Sequence, residues 1–342
     1  MTDPADPTGR WERREPFVAL TPGELQDLLR VVAPGRALLS AAPLTTGLVN
    51  TNYRLALDGP PSPVVLRIYA RDTEACAREP RLLRLVEERV PAPVALYADT
   101  EAAHFRLPWM LMTWVEGEPL PQALASLPGD EAPSLAVALG AAAAAIGSFS
   151  FPQSGFFGPD LSVAEPLDAP REMTYQQLRA LLFERRAGER LGPALTERLW
   201  SAVEARIGVL DALAGRVSLT HSDFRDSNLL VARGEGKWRV TAALDWEFAF
   251  AGPSLFDIGS LLRRERSMLP PGFAAHVVRE YRARGGYAPP GWRTMTLLMD
   301  LMNLCGFADT PEPRGAMLAD VVSLIEASVE RLEANEPDPD AE

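Results

Sequence analysis

Apolar and polar positions follow a helical period at the start of the chain and then give way to strand-like runs. Leu25, Leu28, Leu29 and Val32 fall on one helical face, and the residues before them carry a start signal. Thr21 is placed as N-cap, Pro22 at the first helical position and Glu24 to complete a capping box. Pro34-Gly35 ends the pattern. Aliphatic and β-branched runs over 37–44, 52–57 and 64–69, the last two parted by Asp58-Gly59-Pro60-Pro61, predict a three-stranded meander. A helix is expected over 73–90, with Leu82, Leu83, Leu85 and Val86 as its apolar side, then strands over 93–97 and 107–115.

Past Gly117-Glu118-Pro119 the pattern turns helical, over 133–146, 173–185, 194–213, 272–284, 292–305 and 316–332. One island, 217–245, interrupts it with strand-like runs (217–220, 229–232, 238–244) around a polar loop. The order predicts an α+β, bilobal fold: a small N-terminal lobe over 17–115, with an antiparallel sheet and a helix, and a larger, mainly helical lobe over 116–333. Residues 1–16 read as a flexible arm, and 334–342, acidic and Pro-rich, as a disordered tail.

Composition narrows the function. The 342 residues, 47% of them hydrophobic, can bury a full core. Acidic residues outnumber basic ones 46 to 34, for a net charge of −12, and no Lys/Arg block follows a phosphate backbone; nucleic acid is not an expected partner. Cys76 and Cys305 are the two cysteines, without C-x-x-C spacing and beside only three histidines, so neither a disulfide framework nor a zinc site is predicted. The start of the chain is polar where a signal peptide needs an apolar run, and the Ala-rich stretch 136–146 is far shorter than the roughly 20 residues of a membrane span. A cytoplasmic protein with no membrane partner is expected. Oligomeric state is not legible.

Chemistry concentrates in the island. It reads His221-Ser222-Asp223-Phe224-Arg225-Asp226-Ser227-Asn228, an H-x-D-x-x-x-x-N pattern, and an apolar run, Ala243-Leu244, then ends in Asp245. Phosphoryl transfer needs a carboxylate for the hydroxyl proton and hard oxygens for the cation that neutralises the phosphates. Asp223 is the candidate base, and Asn228 and Asp245 are the candidate Mg2+ ligands. His221 is read as a brace for the loop. Arg225 has two readings, a contact to transferring phosphate or a surface arginine paired with Asp226.

These motifs resemble the catalytic loop and metal-binding acid of the aminoglycoside phosphotransferase and choline kinase-like superfamily, which has a protein-kinase-like fold. The similarity runs over about residues 40 to 310. It implies ATP and Mg2+ as cofactors and a small-molecule hydroxyl acceptor. By the same resemblance, the 47–55 segment is a hairpin over the ATP phosphates, with Thr45, Thr46 and Asn50 in place of further glycines, and Arg67 stands where relatives carry a phosphate-binding lysine. Glu79 is its implied partner, although Pro80 biases Glu79 away from helical geometry. Thr113 and Val115 are the implied adenine-edge residues of a hinge, and Asp257 is an acid supporting the catalytic loop. Asp300 and Asp309 either meet a cationic substrate or are solvated surface. The alternative to a kinase is a catalytically silent nucleotide-binding or regulatory protein of the same shape, and protein kinase activity is disfavoured by the lack of an A-P-E-like segment after Asp245.

Overall fold

The computed structural model describes residue 13 and residues 15–44, 49–312 and 315–338. The N-terminal lobe contains α1 (Pro22–Val32), β1 (Leu38–Leu44), β2 (Thr51–Leu57), β3 (Val64–Ile68), α2 (Ala75–Val86), β4 (Ala95–Asp99) and β5 (Trp109–Thr113). The capping box at Thr21 and Glu24 forms as the sequence predicts. The strands make one antiparallel sheet in the order β1-β2-β3-β5-β4.

Side chains alternate across a pleated strand, and β3 is buried on both faces. Val64, Leu66 and Ile68 join Leu25, Leu28 and Leu29 of α1 in one core. Each such aliphatic side chain contributes about 1.5–3 kcal/mol on burial. Val65 belongs to the main core with Leu82, Leu83 and Val86 of α2. Arg67, two residues on, therefore points to the α2 side. The strand period alone decides that a buried guanidinium meets α2 rather than α1.

The larger lobe opens with β6 (Glu118–Pro119), α3 (Leu120–Ala125) and α4 (Ala132–Ile146), followed by the short strands β7 (Gly155–Phe157) and β8 (Val163–Pro166). Helices α5 (Pro170–Phe183), α6 (Ala187–Leu191) and α7 (Pro193–Arg206) come next. The island then supplies β9 (Ser218–Thr220), β10 (Leu229–Gly234), β11 (Lys237–Ala243) and β12 (Phe250–Gly252). The remainder is α8 (Leu255–Leu262), α9 (Glu265–Met268), α10 (Phe273–Ala283), α11 (Trp292–Ala308) and α12 (Gly315–Glu333). Two small sheets, β11-β10-β6 and β8-β7-β12-β9, frame the polar loop. The first also carries the junction between the lobes. Gly117 lies against it so closely that a Cβ there would come within 2.3 Å of Thr241 Oγ1.

Described residues near both ends make contacts that the sequence reading did not offer. Arg13, within the expected arm, donates to Val49 O and Asn50 O at 2.9 Å and to Thr51 Oγ1 at 3.0 Å, fastening the base of the first hairpin. In the expected tail, Glu336 pairs with Arg266 and with Arg331 at 3.0 Å. Asp338 accepts from the backbone N–H groups of Gly291 (2.6 Å) and Arg293 (3.0 Å), capping α11 from outside its own sequence. Acidity read as a reason not to pack is instead matched to arginines and to a helix N-terminus. Among the described residues no helix is long and apolar enough to cross a membrane.

Candidate active site

The turn after β9 is held from below. Ser222 has φ 69°, a left-handed conformation that a serine adopts only under constraint. The constraint is Asp257, in the first turn of α8: its two carboxylate oxygens accept from His221 N–H and Ser222 N–H, each at 2.9 Å. Burial pushes the Asp257 carboxyl up to about 7 against the pull of those two N–H groups. An Asp257→Asn variant keeps one acceptor and turns a donor towards the other N–H. The expected cost is about 1–3 kcal/mol of stability, read from denaturant unfolding.

His221 braces the loop as expected. Its ring is buried against Trp246, with centroids 4.5 Å apart, and Nδ1 accepts from Asp223 N–H at 3.3 Å. Burial lowers its pKa to about 4 from an ordinary 6.5. A folded pKa below the unfolded one means stability that is complete above pH 6.5 and is lost as pH falls through 4. Thermal unfolding of wild type and His221→Gln should therefore converge as pH drops through that window, with wild type losing the larger share.

Asp223 sits at the centre. Asn228 Nδ2 donates to its Oδ2 at 2.7 Å and to its backbone carbonyl at 3.0 Å. Arg225 Nε lies 2.9 Å from its Oδ1. Burial would raise the Asp223 pKa, but Arg225 and then Arg263 outweigh burial and hold the carboxyl below its usual range. Arg225 is 12% exposed, not a surface arginine, and it pairs with Asp223. The reason is local. Arg225 N–H bonds back to Asp223 O at 2.9 Å, folding residue 225 onto residue 223, while Asp226 caps Ser227 N–H.

Arg67 joins three elements. Its Nη1 donates to Glu79 Oε1 at 2.7 Å, Nε donates to Asn52 Oδ1 at 3.1 Å, and Nη2 meets Asp245 Oδ1. Tyr69 Oη completes Glu79 with a 2.6 Å bond. The pair that Pro80 put in question therefore forms: Pro80 lies inside α2, where its missing N–H removes one intrahelical bond, and Glu79 remains helical. Asp245 has φ 63° and follows β11, whose end is tied to the catalytic loop by Leu244 N–H to Asn228 O at 2.8 Å. That bond sets the backbone of residue 244, one position before Asp245, against Asn228.

Glu247 is the acid that sequence reasoning passed over. It accepts from Asn50 Nδ2 at 2.9 Å, joining the first hairpin to the segment after Asp245. Burial, opposed by Arg67 and reinforced by Glu79 and Asp245, pushes its pKa up to about 7. Its signal in sequence was an acid two positions beyond a candidate metal ligand. Thr45 and Thr46 lie outside the described residues. At the hinge, Thr113 N–H is committed to Val94 O at 2.9 Å, so any contact to a base falls to the Thr113 carbonyl. No backbone hydrogen bond among the described residues engages Val115.

The donor set suits Mg2+. Asn228 spends its amide N–H on Asp223, and its Oδ1, 3.5 Å from Ser227 Oγ, keeps a lone pair that could serve a cation. One guanidinium, Arg67, faces the carboxylates of Glu79, Asp245 and Glu247, so the cluster carries an excess of negative charge. Among the described residues no group of three or more His, Cys, Asp or Glu gathers as a metal cage. One amide oxygen and one carboxylate are the kind of protein ligands that Mg2+ takes, its shell being completed by water and phosphate.

Comparison with known proteins agrees with this architecture. The aminoglycoside phosphotransferase APH(4)-Ia shares the fold at 17% identity, with a TM-score of 0.66 over 91% of this chain and 99% of that one. A GDP and kanamycin complex of APH(2'')-IIIa matches at 16% identity and a TM-score of 0.67, over 91% and 99%. ADP-bound APH(2'')-Ib matches at 16% and 0.60, over 92% and 99%. A search of curated proteins finds no match. The model of the phosphotransferase enzyme family matches residues 40–298, well over half of the sequence, and the chain belongs to that family.

Proposed function

We propose that this protein transfers the γ-phosphoryl group of ATP to a hydroxyl of a small molecule, with Mg2+. Asp223 takes the hydroxyl proton and orients the attacking oxygen. Asn228 Oδ1 and Asp245 hold the cation, which when bound neutralises charge on the phosphates. Arg67, fixed by Glu79, presents its guanidinium to the phosphates. Asn50 stands over them at the base of the first hairpin, and the Thr113 carbonyl and Val115 N–H take the adenine edge. Arg225 is shared between Asp223 and the transferring group.

One observation carries this reading: Asn228 donates to Asp223 while its backbone carbonyl anchors the strand end that bears Asp245, so base and cation ligands form one unit. Related folds hold AMP-PNP, ADP or GDP, which supports a nucleotide in the cleft. The test is a thermal-shift titration with ATP and GTP, with and without Mg2+, followed by turnover on amino alcohols, sugars and aminoglycosides. Mg2+-dependent stabilisation with transfer to at least one acceptor is expected. Stabilisation without turnover on any acceptor would return the chain to the silent nucleotide-binding reading.

A further inference from the structure

Residues 15–20, which lead into α1, are fixed to β2 in step with the period of that strand. Side chains at 51 and 53 face them. Val18 N–H donates to Thr51 Oγ1 at 3.0 Å, and Tyr53 Oη donates to Val18 O and accepts from Leu20 N–H, each at 3.0 Å. Phe17 packs edge-on against Tyr53, with ring centroids 5.2 Å apart. Side chains at 50 and 52 face the other way. There Asn52 Oδ1 accepts from Arg67 Nε at 3.1 Å, and Asn50 Nδ2 donates to Glu247 at 2.9 Å. One strand thus meets the segment before α1 on one face and the proposed phosphate contact on the other.

Arg13 carries this attachment onto a stretch that the sheet does not hold. The ladder with β1 ends where Leu44 pairs with Asn52, and the ladder with β3 where Ile68 pairs with Thr51. The carbonyls of Val49 and Asn50 lie past both. Arg13 Nη2 donates to Val49 O and Nη1 to Asn50 O, each at 2.9 Å, and Nη2 also reaches Thr51 Oγ1 at 3.0 Å. Its own segment aims the fork: Nε donates to Glu15 O at 2.7 Å, and the guanidinium carbon stands 5.3 Å from the Phe17 ring centroid. A planar guanidinium can span three consecutive residues in this way, which the point charge of an ammonium cannot.

We propose that Arg13 is a positioning residue for the nucleotide. By holding residues 49–51 it fixes Asn50 and Asn52 where they meet Glu247 and Arg67. The inference rests on the phosphotransfer reading above, in which Arg67 and the first hairpin face the phosphates. Asn50 is the point where the two ends of this arrangement join, its backbone held by Arg13 and its buried side chain by Glu247. Without Arg13, residues 49–51 sample other positions, and apparent affinity falls with the fraction of molecules that keep the binding-competent arrangement.

The experiment titrates the full chain with Mg2+-ATP and Mg2+-GTP by calorimetry, in wild type, Arg13→Met and Arg13→Lys, with urea unfolding of each as the stability control. Arg13→Met should raise the Kd of the better-bound nucleotide about tenfold, as when the competent arrangement falls to about a tenth of the molecules. Arg13→Lys keeps a donor for one or two of the three acceptors and should lie between, at about threefold. Amide hydrogen exchange should quicken at residues 49–52 while β3 and α1 keep their protection. If Arg13→Met does not fold, Arg13→Lys against wild type decides. Wild-type affinity in the folded variants, or exchange that quickens through β3 and α1 as much as at 49–52, overturns the positioning role alone. Absence of nucleotide binding by wild type overturns the phosphotransfer reading and this one with it.

Discussion

Asp223→Asn is expected to lower kcat by about 10² to 10⁴, the range of a positioned general base, with little change in Mg2+-ATP affinity. The amide keeps the shape of the carboxylate and loses its charge and basicity. Asn228 now faces an amide in place of Oδ2, and Arg225 loses its ion pair at 2.9 Å. Single-turnover phosphate transfer, compared with nucleotide titration by thermal shift, separates the chemical step from binding. Equal turnover by wild type and variant would remove Asp223 from the role of base. The pH profile gives a second readout. With its carboxyl held below the usual range by Arg225 and Arg263, Asp223 stays ionised as pH falls through the ordinary Asp value of about 3.9. Its charge also stabilises the fold: the depressed pKa contributes stability that is present at neutral pH and is lost only as acid reaches the folded value. Activity should therefore show no acid limb from Asp223 between pH 5 and 8.

Arg67→Met is expected to damage both fold and function. The guanidinium is 4% exposed and satisfies Glu79 directly, and removing it leaves that carboxylate buried among Tyr69, Asp245 and Glu247. Breaking a buried pair from one side costs about 3–5 kcal/mol. At a few degrees per kcal/mol, the melting temperature should drop by roughly 5–15 °C. Nucleotide affinity should fall with it, because the same side chain is the proposed phosphate contact. Arg67→Lys separates the two effects. A lysine keeps the charge but cannot reach Glu79, Asn52 and Asp245 together, so part of the stability returns and the phosphate contact survives in weakened form. A double-mutant cycle with Glu79→Gln measures the coupling. Full stability in Arg67→Met would mean that Glu79 is held by Tyr69 alone.

The candidate loop was legible in the sequence because its candidate residues, Asp223, Asn228 and Asp245, lie within one short stretch. The capping box and the alternation of β3 are local signals of the same kind, and both lobes follow from them. What escaped reading depends on contacts between distant segments. Glu247 gains meaning only through Asn50, 197 positions away in the chain. Arg225 turns to Asp223 through a backbone bond that no residue pattern encodes. Asp300 looked like surface until Arg263 closed over it, since a charge on an amphipathic helix carries no mark of the partner that buries it.

The cap that Asp338 places on α11 lies at one end of a chain of ion pairs. Glu336 reaches Arg331, which with Arg293 grips Glu265 at the start of α9. Two buried arginines from different helices thus share their carboxylates, so a change at Glu265 or Glu336 would be felt by α9, α11 and α12 as one unit.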